Sequence, residues 1–125
     1  MGRLTVIRAS DRTAMDTTQT PGMRREQAIA GQGVWVGLTH TAPGVTSGWH
    51  HHGDYDTYIY MAAGVAHGDF GSGGGEHVEA RAGDFIHVPK HTIHRESNPG
   101  GEESAMVIVR VGSGPPVINV EGPER

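Results

Sequence analysis

Cysteine is absent from the 125 residues of the chain. Disulfide bonds, thiolate metal sites and a cysteine nucleophile are therefore excluded, and cysteine usage gives no indication of the compartment. Long apolar segments are absent too, since the longest, residues 59–66, is far shorter than a membrane span. The N-terminal residues contain no apolar segment typical of a signal peptide. We therefore expect a cytoplasmic protein with no membrane partner.

Positive charge and aromatic side chains are also scarce. Lys and Arg number 10 against 14 Asp and Glu, the formal net charge is -4, and no long basic run occurs. A nucleic-acid partner is therefore not expected. Aromatic residues make up 6% of the chain and hydrophobic residues 35%, with a mean hydropathy of -0.42. These values indicate one small core, and we expect a single domain over residues 1–125.

Glycine is abundant, with 20 residues beside 7 prolines. This much turn-forming material favours many short strands over long helices, and no segment shows a sustained helical period. The polar residues 10–33 predict an extended or lid-like arm, with a weak strand near 27–31. The sequence as a whole predicts an all-β sandwich or barrel, with strands at 4–9, 34–41, 46–52, 56–64, 65–70, 76–80, 84–89, 104–112 and 117–121.

Three consecutive histidines stand in the stretch 50-HHHGD-54. Side chains alternate between the two faces of a strand, so His50 and His52 share a face while His51 points away. Two imidazoles on one face of a strand form a natural clamp for a metal ion. The stretch also matches the HxHxD opening of metallo-β-lactamase-type hydrolases, but Tyr55 stands where those enzymes need a further histidine.

Further ligands are available later in the chain. His94 closes the segment 91-HTIH-94, and Asp56 lies four residues after His52. Imidazole suits Zn, Cu, Fe and Ni, and a carboxylate extends the choice towards Mn and Fe. The alternative is a metal-free protein in which these histidines are ordinary polar core residues.

Two spaced motifs combine these histidines with glycines and a proline. The first, G-x5-H-x-H-x3,4-E-x6-G, fits residues 44–64 through Gly44, His50, His52 and Gly64. The second, G-x5-P-x-G-x2-H-x3-N, fits residues 83–98 through Gly83, Pro89, His94 and Asn98, with His91 in place of the motif glycine. Through these two motifs, the segment 34–111 resembles the cupin family.

The resemblance implies a double-stranded β-helix, the jelly-roll barrel of cupins, with its core at 34–111, an N-terminal arm at 1–33 and a C-terminal strand at 112–125. It also implies one divalent transition metal per chain, which could be Fe, Mn, Ni, Zn or Cu. The implied ligands are His50, His52 and His94. The glutamate of the first motif falls at Asp56 on its three-residue spacing and at Thr57 on its four-residue spacing. We assign Asp56 as the fourth ligand, because threonine is a poor one.

If alternation continues from Asp56, Tyr58 and Tyr60 line the cavity and are candidate catalytic residues. The resemblance implies a small-molecule substrate or ligand, and a metal-dependent dioxygenase, isomerase or lyase acting on an oxygenated compound. Two alternatives remain open. One is a protein that binds a metal or a small molecule without turnover. The other is a cupin of the sugar-epimerase or isomerase type, with His and Tyr as its acid–base pair.

The remaining motif neighbours have simpler expected roles. His87 is expected to pack or to hydrogen-bond near the site, and His91 to accept a left-handed backbone. The flanking strands at 4–9 and 117–121 are expected to cover sheet edges or to pair across a homodimer. The surface or the rim of the barrel is the expected place of His40, His67, His77, Arg95 and Glu96.

Overall fold

A computed structural model describes residues 2–15 and 20–123 of the chain. Short strands dominate it, and the helical elements in these residues are two 3-10 turns, at Ala9–Asp11 and Ser72–Gly74. No helix in the described part is long and apolar enough to span a membrane. In chain order the strands are β1 Thr13–Met15, β2 Met23–Gly31, β3 Val34–Thr41, β4 His50–His51, β5 Asp56–Ala63, β6 Val65–Phe70, β7 Glu76–Arg81, β8 Phe85–Val88, β9 His94–Ser97, β10 Ser104–Val111 and β11 Ile118–Asn119.

The strands form two antiparallel sheets. The six-stranded sheet has the order β1-β2-β3-β10-β5-β8, and the five-stranded sheet has the order β11-β4-β9-β6-β7. Strands distant in sequence are neighbours in both sheets, as when β10 lies between β3 and β5. This arrangement confirms the predicted all-β jelly-roll fold.

The core lies between the sheets because the strands alternate in polarity and burial. In β10 the buried residues are every second one, from Ser104 through Met106 and Ile108 to Arg110. In β5 they are Thr57 and the two apolar residues that follow it at the same spacing. The apolar core is small and comes from both sheets: Ile59, Met61, Ala80, Val88, Met106 and Ile108.

Asn98, the last residue of the second motif, holds two loops together. Its side-chain amide donates to the carbonyls of Thr41 and Glu102 at 2.9 and 2.8 Å. Its side-chain oxygen accepts from the amide of Gly100 at 2.9 Å. The side chain is almost fully buried, so these bonds fix the start of the crossing from β9 to β10.

His91 adopts the left-handed backbone expected of it. Its φ is 59°, the one positive φ outside glycine in the part of the chain that is described. The second motif has a glycine at this place because a left-handed residue avoids strain most easily without a Cβ atom. The Nε2 atom of His91 also lies 2.9 Å from a carboxylate oxygen of Asp54, which ties the turn to the preceding loop.

Several predicted strand limits are wrong. Residues 4–9 form no strand, and the predicted strand at 46–52 is reduced to the two residues of β4. The polar arm at 10–33 contains β1 and the nine-residue β2, which pairs along β3 from Met23 opposite Thr41 to Gly31 opposite Val34. The sequence does not predict β2 as a full strand, because its charged residues lie on both faces of the sheet and give no alternation of polar and apolar positions.

The outer face of the five-stranded sheet carries a cluster of polar residues around Asp69. His67 Nε2 and His77 Nδ1 donate to one carboxylate oxygen of Asp69 at 2.8 and 2.7 Å, and Arg95 Nε donates to the other at 2.9 Å. Burial acts to raise the pKa of Asp69, but the bonds from His77, Arg95 and His67 outweigh it and lower the pKa to about 2. His67 and His77 lie on the outer face, in agreement with the expected surface position, and both bond there to Asp69.

The substitution Asp69→Asn should lower the free energy of unfolding at neutral pH by about 1 to 3 kcal/mol, because the donors lose a charged acceptor. The pKa of Asp69 is lower in the folded chain than its ordinary value of 3.8, so the stabilisation is present above that pH and is lost as the pH falls towards 2. Urea unfolding of both proteins at neutral pH and at about pH 3 should therefore show a difference that shrinks on acidification. The exposed Glu102→Gln is the control. Equal stability of wild type and Asp69→Asn at neutral pH would contradict the prediction.

Candidate metal centre

Three of the predicted ligands meet between the sheets. His50 in β4 lies directly opposite His94 in β9, and His52 follows β4 on the same face. The ring centroids are 4.3 Å apart for His50 and His94, 5.2 Å for His50 and His52, and 5.0 Å for His52 and His94. One ring nitrogen from each residue lies within 4.8 Å of the other two, and all three side chains are buried. This spacing is compatible with a single metal ion.

The backbone fixes the orientation of all three rings. The Nδ1 atom of His50 lies 2.9 Å from the carbonyl oxygen of Gly48. That of His52 lies 2.9 Å from the oxygen of Pro116, and that of His94 lies 2.8 Å from the oxygen of Thr92. A carbonyl oxygen only accepts, so each Nδ1 carries the hydrogen and donates it. Each Nε2 atom therefore has a free lone pair.

The residues present fit a divalent transition metal. His94 Nε2 is buried and has no hydrogen-bond partner, which is costly for a polar atom without a ligand. Metal-bound histidines typically donate their second ring N–H to a carbonyl or carboxylate, as all three do here. Imidazole nitrogen suits Zn, Cu, Fe and Ni, so the donor set leaves several metals possible.

Burial keeps two of the imidazoles neutral, as metal binding requires. Burial is the largest cause that lowers the pKa of His50. Burial, followed by the charges of Arg110 and His94, lowers the pKa of His52 to about 3. Neither ring therefore competes for protons near neutral pH, and both offer nitrogen lone pairs.

The structure separates Asp56 from the histidine group. In β5 the inward residue is Thr57, which is 1% exposed, and Asp56 points to the outer face. There the Asp56 carboxylate accepts a hydrogen bond from His87 Nε2 at 3.1 Å. The turn before β5 makes the four-residue spacing of the motif the one in phase with the barrel interior. The assignment of Asp56 as fourth ligand is corrected for this reason.

The predicted positions of the two tyrosines are wrong for the same reason, since they were derived from the face assigned to Asp56. Tyr58 and Tyr60 share a face with Asp56, as predicted, but that face is the outer one, where they are 45% and 38% exposed. Tyr58 stacks on His87 at 4.8 Å between ring centroids, and Tyr60 contacts Phe85 at 4.9 Å. Neither tyrosine lines the interior, so the proposed catalytic role of both is corrected.

Glu96 points into the interior, although the sequence places it at the rim or the surface. It follows His94 by two residues in β9 and therefore shares its face. The amide of Glu96 donates to the Ser47 hydroxyl at 3.0 Å, and its carbonyl accepts from the Ser47 amide at 2.8 Å. Burial acts to raise the pKa of Glu96, but the electrostatic interactions with His50, His94, His52 and Arg25 outweigh it and hold the pKa below its ordinary value. The carboxylate is therefore ionised at neutral pH. The alternation from His94 was the sequence signal that could have found it.

Two cavities meet at this group. One, of about 510 Å³, is lined by His50 and Glu96 together with Arg25, Arg110 and Trp35. The other, of about 550 Å³, is lined by His94 and Glu96 together with apolar residues that include Ile59, Phe70 and Met106. The histidine group thus borders both cavities. We call the first, which contains the two arginines, the charged cavity; the second has acidic residues such as Asp69 and Asp84 beside its apolar ones. Each is large enough for a small molecule.

The fold and the buried histidine group define a jelly-roll protein with a candidate metal centre. The sequence model of the family described as Cupin domain matches residues 37–110, which is more than half of the chain. The chain belongs to the cupin family. The search of curated proteins found no match to it.

Solved structures share the fold at low sequence identity. A polyketide cyclase, RemF, from Streptomyces resistomycificus has a TM-score of 0.77 and 18% identity, over 94% of this chain and 86% of that chain. A predicted oxalate decarboxylase from Thermotoga maritima has a TM-score of 0.73 and 18% identity, over 87% and 100%. The Bacillus subtilis oxalate decarboxylase, which contains Mn(II) centres, has a TM-score of 0.73 and 19% identity, over 89% of this chain but only 30% of its own length.

Metal analysis of single-residue variants tests the ligand set. His94→Gln should lose the metal, because it removes one of three convergent nitrogens. The affinity should fall by more than the roughly 10- to 100-fold typical of losing an outer hydrogen-bond partner. Asp56→Asn should keep the wild-type metal content, because its carboxylate lies on the outer face. Elemental analysis of untagged proteins, with folding checked by circular dichroism, measures both. Retention of metal by His94→Gln, or its loss from Asp56→Asn, would refute this assignment.

Proposed function

We propose that the protein is an enzyme that uses one divalent transition metal, held by His50, His52 and His94, to transform an oxygenated small molecule. The observation that carries the proposal is the orientation of the three imidazoles. Their Nδ1 atoms are all committed to backbone carbonyls, and one buried Nε2 atom has no partner. When bound, Fe, Mn, Ni, Zn or Cu would supply Lewis acidity towards a carbonyl or phenol oxygen, and all but Zn could also supply redox chemistry.

Glu96 is the proposed general base. Its carboxylate lines both cavities, is ionised at neutral pH and lies on the face that carries His94. It can accept a proton from the C–H of an enolisable carbonyl compound or from the O–H of a phenol. Isomerisation and elimination of an enolisable carbonyl compound begin with removal of this proton, and the anion that it leaves is also the electron-rich form that favours reaction with dioxygen. We therefore keep isomerase, lyase and dioxygenase as the proposed reaction classes.

The surroundings of Glu96 keep it in place for this role. Ser47 holds the backbone of Glu96 by two hydrogen bonds, which link β9 to the segment before β4. Between the sheets, where less water screens charges than at the surface, electrostatic interactions with a bound substrate would be stronger. The epimerase-like alternative, which needs a tyrosine in the interior, loses its two candidates because Tyr58 and Tyr60 lie outside.

Substitution Glu96→Gln should separate catalysis from metal binding. The variant should keep about one metal per chain, since Glu96 is not in the histidine group. Its kcat should fall by about 10²- to 10⁴-fold, the usual contribution of a general base. Oxygen uptake and product formation with a panel of diketones and phenols, using Fe-, Mn- and Ni-loaded protein, measure the rates. An unchanged kcat in the variant would exclude Glu96 as the base. Binding of panel compounds without any turnover by the wild type would instead indicate a binding protein.

We also propose that the protein forms a homodimer. Apolar side chains are exposed on the outer face of the six-stranded sheet, where Tyr58 and Phe85 lie, and in the N-terminal segment, where Leu4 and Val6 lie. On the sheet face Tyr60 and Phe85 are in contact, and an exposed apolar patch of this kind is typical of interfaces between subunits. A second copy could cover the sheet face and the segment together, by two-fold symmetry.

Light scattering at micromolar concentration tests the dimer. The wild-type protein should have twice the mass of the 13.3 kDa chain. Phe85→Glu should shift it towards the monomer, because a charge would be buried at the interface. A monomeric wild type, or a dimer that Phe85→Glu leaves intact, would count against this surface.

A further inference from the structure

Two arginines project into the charged cavity beside the histidine group. Arg110 in β10 is 4% exposed, and its guanidinium carbon lies 4.9 Å from the centre of the Trp35 ring. Arg25 in β2 lies opposite the buried Thr39 and therefore shares the inward face. Both arginines line the cavity of about 510 Å³ that His50 and Glu96 also line.

Neither arginine has its charge matched by a close carboxylate. The Nε atoms of Arg25 and Arg110 are buried without a hydrogen-bond partner. Within residues 2–15 and 20–123, no ion pair includes either residue, whereas Arg24 and Arg95 pair with Glu103 and Asp69 at 2.8 and 2.9 Å. A buried charge is costly unless a charge or a set of acceptors compensates it. The cavity is therefore short of an acceptor.

The local balance of charge indicates which acceptor fits. Burial, followed by the like charge of Arg25, lowers the pKa of Arg110 to about 10, so Arg110 remains cationic at neutral pH. Among the described residues that line this cavity, Arg25 and Arg110 supply two guanidinium groups and Glu96 is the one acidic residue. The excess of cationic side chains is what a bound anion would offset.

We infer that the cavity binds a carboxylate through the guanidinium groups of Arg25 and Arg110, and that the substrate is a small carboxylic acid with an apolar body. Guanidinium groups suit carboxylates because their N–H donors match the two oxygens. Trp35 and Trp49 in the wall of the cavity would pack against the apolar body. The inference rests on the proposed function in one respect: the far end of the acid would face the histidine group, which His50 brings into this cavity.

Benzoate, with benzamide as its neutral counterpart, tests the carboxylate site. Calorimetric titration should show that benzoate binds wild-type protein at least about tenfold more tightly than benzamide, because only benzoate supplies a charged acceptor. Arg25→Gln should weaken benzoate binding by at least about tenfold. Arg24→Gln is the matched control, since Arg24 is the neighbour of Arg25 on the outer face and should leave binding unchanged. Arg110→Lys provides a second variant that keeps the charge but loses the two-donor geometry.

The titrations are carried out on chelator-treated and on zinc-loaded protein, so that this site and the metal centre fail separately. Benzoate should bind in both forms, and Arg25→Gln should keep the wild-type zinc stoichiometry. Absent zinc binding would overturn the proposed function but leave the carboxylate site standing if benzoate still binds. The inference is overturned if benzoate does not bind, if benzamide or inorganic phosphate binds as tightly, or if Arg25→Gln binds benzoate like the wild type.

Discussion

The three hydrogen bonds from imidazole Nδ1 atoms to backbone carbonyls are the constraint on which the candidate site depends. Without them each ring could rotate or carry its hydrogen on Nε2, and the three lone pairs would not converge. The acceptors of His50 and His94 lie two residues before them, at Gly48 and Thr92. The acceptor of His52 is different, because Pro116 lies 64 residues away. The segment after the last long strand is therefore part of the site.

That C-terminal segment is bonded to β4, the strand that carries His50. Ile118 and Asn119 pair with His51 and His50, and the amide of Val120 donates to the carbonyl of Trp49 at 3.0 Å. The short strand β4 thus has β9 on one side and β11 on the other. A two-residue strand has little stability alone, so its neighbours fix the geometry that the histidines need.

The three histidines are the part of the site that the sequence predicts correctly, through the alternation of side chains within a strand and the spacing of the motifs. His50 and His52 were placed on one face, and the motif spacing brought His94 to them, because neither step requires the pairing of strands. The prediction for Asp56 is wrong because a turn precedes β5. When the shape of that turn is unknown, the sequence does not determine whether Asp56 or the next residue faces the interior. Because Tyr58 and Tyr60 were placed from Asp56, they were assigned to the wrong face as well. The sequence does not predict the arginines of the charged cavity. Strand β2 lies in a segment whose polarity does not indicate a strand, and the strands that pair with it are known only from the sheet order.

Charged residues that are adjacent in sequence point to opposite faces of a strand, so that in the described part of the chain one reaches a partner on the surface while the other lies in the interior without an ion pair. Arg24 and Arg95 point outward and have carboxylate partners, whereas their sequence neighbours, Arg25 and Glu96, point inward and have no ion pair within the described residues. On the surface such pairs contribute little and can be lost at little cost. In the interior an unmatched charge destabilises the fold, so it persists only where something else depends on it. The folded chain therefore carries an energetic cost in the interior that a bound metal and a bound anion would relieve.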